Sequence, residues 1–259
     1  MKCNNIDSFL AKIRSGDMPL GLVVTFSDSA VAELACAAGF DFIWFDGEHG
    51  EFDRASAMQH LIAVKGTDVA SFYRVPACDH TEIKRVIDFA PAGIIVPMVM
   101  DENDAARAVS YCRYPIHGGT RGVGVRRGCN YGAEDIEEYF AASTHDPLVI
   151  LQLEHISAAR RLDQMLAVPG IDSILIGPYD LSMSMRKPGQ FDDREVSTML
   201  DECCRKIRDK GIMLGCYAED NFDLWRRRGV QYMAIRNDTS AMFEGCRLQM
   251  ARAREAIGI

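Results

Sequence analysis

Eight times in succession, an apolar run of strand length in this chain is followed by a segment with helical periodicity, and no linker interrupts the series. The runs open with Leu20-Gly21-Leu22-Val23-Val24-Thr25 and Phe42-Ile43-Trp44-Phe45. They continue through Val69 to Val75, Gly93 to Pro97, Leu148 to Glu154, Ser173 to Gly177, Ile212 to Tyr217 and Gln231 to Arg236. Helices are predicted over Asp28–Ala38, Asp53–Lys65, Asp79–Phe89, Asp101–Cys112, Ser157–Ala167, Arg194–Lys210, Phe222–Arg228 and Ser240–Ala256. Gly39, Gly211 and Gly229 stand where helix C-caps belong, and Asp79 where an N-cap does. Such alternation implies parallel strands joined by helical crossovers. Eight units with no spare strand favour a closed (β/α)8 TIM barrel over an open doubly wound sheet. No GxGxxG opens a helix after the first strand, which weakens a dinucleotide-binding reading. The chain, 1–259, is therefore read as one barrel domain, close to the usual size of about 250 residues.

Composition narrows the function classes. With 48% hydrophobic and 25% charged residues the chain has the material for one large core. A net charge of -8 argues against a general nucleic-acid surface. The segment Met1–Asp7 has no apolar region of the signal-peptide kind, and no apolar run reaches the roughly 18 residues of a membrane span. Nine cysteines without a CxxC spacing, two of them adjacent at Cys203-Cys204, suit neither a disulfide framework nor a tetrahedral zinc site. The expectation is a reduced, cytoplasmic protein. The one irregular stretch, Arg113–Gly132, holds six glycines and the arginines Arg113, Arg121, Arg126 and Arg127. It is predicted as a solvated, mobile loop, with a lid or a subunit contact as the alternative. A short helix is predicted over Glu134–Ser143.

The strand ends carry the chemistry. In a barrel of this kind the site lies at the C-terminal ends of the strands, and those positions here are Thr25, Ser27, Asp46, Glu48, His49, Arg74, Gln152, Glu154 and Asp180. A Glu closing a fully buried strand needs a task. Asp180, three residues beyond the sixth strand, could be only a helix cap for Leu181-Ser182. Two acids at neighbouring strand ends point instead to a shared divalent cation. All-oxygen donors suit Mg2+, Mn2+ or Co2+ better than zinc. Asp46 and His49 are spaced for a carboxylate–imidazole pair, which would fix the tautomer of a general base; Glu48 between them is open to a structural or a functional reading. Arg74 suits a substrate carboxylate or an oxyanion, the bland alternative being an ion pair with a nearby acid. No lysine lies at a strand end for a Schiff base, since Lys65 and Lys84 fall in helices. The loops Tyr217–Asn221 and Arg236–Ser240 contain no glycine, and the first carries two acids, so a phosphate site there is not expected.

Taken in order, Phe45-Asp46-Gly47-Glu48-His49, Arg74-Val75-Pro76, Ile83-Lys84-Arg85-Val86-Ile87-Asp88, Val96-Pro97-Met98-Val99, Arg121-Gly122-Val123-Gly124, Gln152-Leu153-Glu154 and Gly177-Pro178-Tyr179-Asp180-Leu181-Ser182 form a specific set. From about Gly21 to Asp238 the chain resembles the HpcH/HpaI aldolase family, metal-dependent class II pyruvate aldolases on a phosphoenolpyruvate/pyruvate-type TIM barrel. The resemblance implies reversible cleavage of a 4-hydroxy-2-oxo acid to pyruvate and an aldehyde. It implies Glu154 and Asp180 as metal ligands with Gln152 beside them, His49 paired with Asp46 as base, and Arg74 at the enolate oxygen. It further implies a substrate-facing backbone at Tyr179, Asp88 reaching the site of an adjacent subunit, and a homo-oligomer, hexamer or trimer, with the last helix packed on a neighbour. Tyr179 departs from the often small residue of relatives, and Val125–Asn130 has no match. The alternatives are a citrate-lyase-type acyl-CoA lyase, for which the chain offers no basic track, and a non-enzymatic barrel that binds an oxo acid.

Overall fold

The computed structural model describes residues 3–259, and its eight parallel strands close into a barrel in chain order. The strands are β1 (Leu20–Val24), β2 (Phe42–Asp46), β3 (Ala70–Arg74), β4 (Gly93–Val96), β5 (Leu148–Leu153), β6 (Ser173–Ile176), β7 (Met213–Tyr217) and β8 (Tyr232–Asn237). The helices are α1 (Ile6–Ser15), α2 (Ala30–Ala37), α3 (Arg54–Ala63), α4 (His80–Ile87), α5 (Glu102–Cys112), α6 (Ile136–Ala142), α7 (Ile156–Arg160), α8 (Leu162–Met165), α9 (Pro178–Ser184), α10 (Arg194–Asp209), α11 (Phe222–Arg227) and α12 (Asp238–Ile257). The (β/α)8 barrel expected from the alternation is the observed architecture. Among the described residues no helix is long and apolar enough to cross a membrane.

Strand periodicity divides the core in two. Phe42, Trp44, Phe72, Ile95, Ile150, Leu175 and Tyr232 fill the barrel, while Ile43, Phe45, Tyr73, Ile94, Leu151, Ile174 and Leu214 pack outward with the helices. The interior rings need small partners. A Cβ at Gly215 would lie 2.2 Å from the Tyr232 ring, so glycine is required there by packing. The helix α1, which the alternation did not reveal, plugs the N-terminal end. Phe9 stands edge-on to Phe42, Phe72 and Tyr232 with centroids 5.7, 5.0 and 5.3 Å apart.

Three local expectations change. The helix predicted over Ser157–Ala167 is two helices, broken at Arg161 (φ -104°, ψ 13°). A further helix, α9, precedes α10. The stretch Arg113–Gly132 is exposed at half its residues, as a solvated loop would be, but three of its four arginines are structural. Arg113 is buried against Asp172 and the Pro147 carbonyl. Arg121 lies over the Tyr114 ring and pairs with Asp88, and Arg127 donates to the carbonyls of Cys3, Leu61 and Phe89. Buried guanidiniums that satisfy backbone carbonyls anchor a segment that has few apolar residues of its own. Only Arg126 of the four is exposed.

The last helix leaves the body of the barrel. Every residue of the chain from Ala241 onward is exposed, among them Met242 at 62%, Phe243 at 68%, Leu248 at 54% and Met250 at 56%. Tertiary packing of one face is what normally stabilises such a helix.

Candidate active site

The C-terminal ends of the strands surround a cavity of 260 Å³ lined by Val23, Thr25, Trp44, Asp46, His49, Arg74, Gln152, Tyr179, Asp180, Tyr217 and Asn237. Larger hollows exist, among them one of 320 Å³ bordered by Arg121, Tyr139 and Asp146. The 260 Å³ cavity is distinguished by the strand-end acids that gather around one guanidinium.

Register brings that guanidinium to its partners. β2 and β3 pair with Asp46 opposite Arg74, and both side chains point into the mouth. Arg74 Nε donates to Asp46 Oδ1 at 2.9 Å and Nη2 to Oδ2 at 2.6 Å, a bidentate pair. Its Nη1 donates to Gln152 Oε1 at 3.3 Å and lies 2.9 Å from Glu48 Oε2. The plane rests over Trp44, 4.8 Å from the ring centroid. Arg74 is buried and locked on every side.

Asp46 is thereby spoken for, and the expected Asp46–imidazole pair is not formed. Its Oδ1 also accepts the backbone N–H groups of Glu48 at 3.1 Å and His49 at 3.2 Å, which shapes the turn after β2. The His49 ring is 70% exposed, and the nearest acid to it is Glu48, with Oε2 4.0 Å from Nε2. An Asp three residues before a His in a tight turn reaches the backbone more readily than the ring, so spacing alone misassigned the partner. Burial, its largest influence, raises the Glu48 carboxyl above its ordinary range against the pull of Arg74.

Glu154 and Asp180 sit in unlike settings, near enough for the charge of Asp180 to be felt at Glu154. Glu154, just past β5, is buried. Its Oε1 accepts the Met98 N–H at 2.6 Å, and its Oε2 accepts from Gln152 Nε2. Burial pushes its carboxyl up to about 7, with the negative charges of Glu48 and Asp180 adding to the effect. Asp180 lies in the first turn of α9, after Gly177 at the N-cap and Pro178, so it is not the cap itself. It is exposed to the mouth. A Cβ at Gly177 would approach Glu154 Oε2 and Gln152 Nε2 to 3.1 Å, so the bare backbone there keeps space around the carboxylate.

Those residues fit a hard divalent cation. Four carboxylates, Asp46, Glu48, Glu154 and Asp180, lie around the mouth with Arg74 paired to the first two, and the carboxyls of Glu48 and Glu154 are raised chiefly by burial and further by the neighbouring negative charges. Among the described residues no three His, Cys, Asp or Glu side chains converge as a metal cage. The donor set is thus the two carboxylates, since Gln152 turns its oxygen to Arg74 and its nitrogen to Glu154, and most of an octahedral shell is left to substrate and solvent.

Tyr179 lines the cavity with its ring edge-on to Phe191, centroids 5.0 Å apart. Asp88 is not brought to the mouth. It caps the far end of α4 and pairs with Arg121 Nη2 at 3.3 Å. Trp44, Asn237 and Tyr217 were missed from the sequence. Trp44 was accessible in principle, since it lies two residues before Asp46 and so on the same face of β2.

A family model described as HpcH/HpaI aldolase/citrate lyase matches residues 20–243. A hydroxypyruvate/pyruvate aldolase of Roseobacter denitrificans is 32% identical over 216 residues, spanning 83% of this chain and 84% of that protein. A 4-hydroxy-2-oxovalerate aldolase of Rhodococcus jostii is 32% identical over 237 residues, with 90% and 91% covered. The crystal structure of an HpcH/HpaI aldolase/citrate lyase family protein from Burkholderia cenocepacia superposes with a TM-score of 0.88 at 26% identity, covering 96% of this chain and 99% of that one.

Proposed function

This chain belongs to the HpcH/HpaI aldolase/citrate lyase family, and from that premise we propose that it is a divalent-metal-dependent aldolase that reversibly cleaves a 4-hydroxy-2-oxo acid to pyruvate and an aldehyde. The observation that carries the reading is the charge pattern at the mouth: Glu154, raised by burial and by the charge of Asp180, beside an arginine already fixed by Asp46. Glu154 and Asp180, with Gln152 nearby, would hold Mg2+, Mn2+ or Co2+. When bound, such an ion supplies Lewis-acid stabilisation of the enolate.

The chain's own residues account for the rest. His49 removes the proton of the C4 hydroxyl. The C3–C4 bond then breaks, its electron pair passes to C3 and the C2 oxygen as an enolate, and the aldehyde leaves. The enolate takes a proton at C3 to complete pyruvate, and the proton held by His49 is given up in turn, to C3 or to solvent. Arg74 sets positive charge beside the developing enolate oxygen. Its clamp to Asp46, Gln152 and Glu48 means that this charge is in place before the reaction and needs no reorganisation during it. Glu48, rather than Asp46, is the acid beside the imidazole. Pyruvate release from a panel of 4-hydroxy-2-oxo acids, with and without EDTA, tests the reading. No release with any member would refute it.

The aldehyde is proposed to be unphosphorylated. Arg236, at the end of β8, is held among Glu219, Asp220 and Glu244 and is not free for a dianion. For matched substrates, kcat/KM should not favour the phosphorylated one. A tenfold preference for it, about 1.4 kcal/mol, would contradict this.

A homo-oligomer is proposed as well, hexamer or trimer, docked through the exposed face of α12. Asp88, remote from its own mouth, would then serve a neighbouring site. Sedimentation should give a multiple of 28.8 kDa; a fully active 28.8 kDa species at assay concentration would rule it out. Nine cysteines with no CxxC spacing fit a reducing, cytoplasmic setting.

A further inference from the structure

We propose that Asp238 is a positioning residue for the aldehyde side of the site, fastening the mouth of the barrel to the root of α12; the inference rests on the aldolase reading above. β1 and β8 close the barrel with a register shift, Gly21 opposite Ala234 but Leu22 opposite Arg236. Above the shift the ladder resumes for two pairs, Leu22 with Arg236 and Val23 with Asn237, and then ends. Beyond it the buried Asp238 carboxylate joins the two strand ends. Its Oδ2 accepts the Thr25 N–H at 2.8 Å and the Phe26 N–H at 2.9 Å. Its Oδ1 accepts the Thr25 hydroxyl at 2.7 Å and the Thr239 N–H at 2.8 Å. A carboxylate is acceptor-only, so no other side chain of this size satisfies all these donors at once. Moving it would strand them in a buried place.

The joint is also a wall of the site. Val23, Thr25 and Asn237 line the 260 Å³ cavity, and Asn237 Oδ1 caps α12 through the Ser240 N–H at 2.7 Å. The acids and the arginine proposed to hold the oxo acid lie on the β2–β3 and β5–β6 side. The β1–β8 wall remains for the aldehyde, and Asp238 sets where that wall stands. Because α12 continues from the same joint into its exposed length, docking of α12 on a second copy bears directly on this wall.

The test uses Asp238→Asn in the intact, metal-loaded protein and reads two rates. One is exchange of the pyruvate methyl protons with deuterated solvent, which needs only the oxo-acid half of the site. The other is aldol addition to pyruvate with glycolaldehyde varied. The expected result is a rise in aldehyde KM on the order of tenfold, with proton exchange within about twofold of the unaltered enzyme. Equal losses in both rates would mark Asp238 as merely structural, and an unchanged aldehyde KM would overturn the proposal. Should Asp238→Asn fail to fold, Thr25→Val decides: it deletes one donor and keeps the shape. The same split at about threefold is expected, and an unchanged KM again overturns the proposal. An unaltered enzyme that neither exchanges protons nor adds the aldehyde refutes the aldolase reading itself, and this proposal with it.

Discussion

Glu154→Ala/Asp180→Ala is expected to lower kcat/KM for 4-hydroxy-2-oxo acid cleavage by on the order of 10³ or more, and exhaustive chelation of the unaltered enzyme should do the same. Each removal takes away the one group able to spread the enolate's charge beyond Arg74. Restoration should separate the two cases. Mg2+, Mn2+ or Co2+ should revive the chelated enzyme and leave the double variant inactive. The variant should fold, since Asp180 is exposed and the loss of Glu154 strands only the Met98 N–H and the Gln152 amide. Removing a buried carboxyl already raised to about 7 also removes a desolvation cost. Full activity in the double variant, or after chelation, would end the metal-dependent reading.

His49→Ala should cost on the order of 10²–10⁴ in kcat while metal affinity, measured by calorimetry, stays near that of the unaltered enzyme. The ring is exposed at the mouth and makes no contact with Glu154 or Asp180, so its loss leaves the ligands as they were. The comparison variant is Asp46→Asn. If Asp46 were the imidazole's partner, both substitutions would weaken the same proton transfer. The geometry predicts otherwise: Asp46→Asn should loosen Arg74, because it breaks the bidentate clamp on the guanidinium. Near-normal turnover in His49→Ala would exclude the ring as the base.

Much of this protein was legible in one dimension. Strand and helix periods are local properties, repeated eight times without a break, so the barrel followed from counting them. The barrel in turn gathers strand ends at one mouth, and so Arg74, Gln152, Glu154 and Asp180 could be grouped although more than a hundred positions separate the first from the last. Glu154 stood out because a carboxylate in a buried apolar run is costly without a purpose.

What a side chain touches was not legible in that way. Asp46 and His49 are three residues apart in sequence, yet strand register hands Asp46 to Arg74, across the β2–β3 ladder, and leaves His49 beside Glu48. The arginines of 113–132 looked like a solvated loop because a guanidinium is usually exposed. Only long-range pairing with Asp88, Asp172 and distant carbonyls shows that they hold the segment down. The plug formed by α1 depends on Phe9 meeting rings from three different strands. The β1–β8 closure sits where the chain's first and last strands meet, with a register shift that no local pattern encodes. Sequence periodicity determined which elements form and which ends face the mouth. The tertiary structure decided the pairings, because register and burial are set by contacts between residues far apart in the chain.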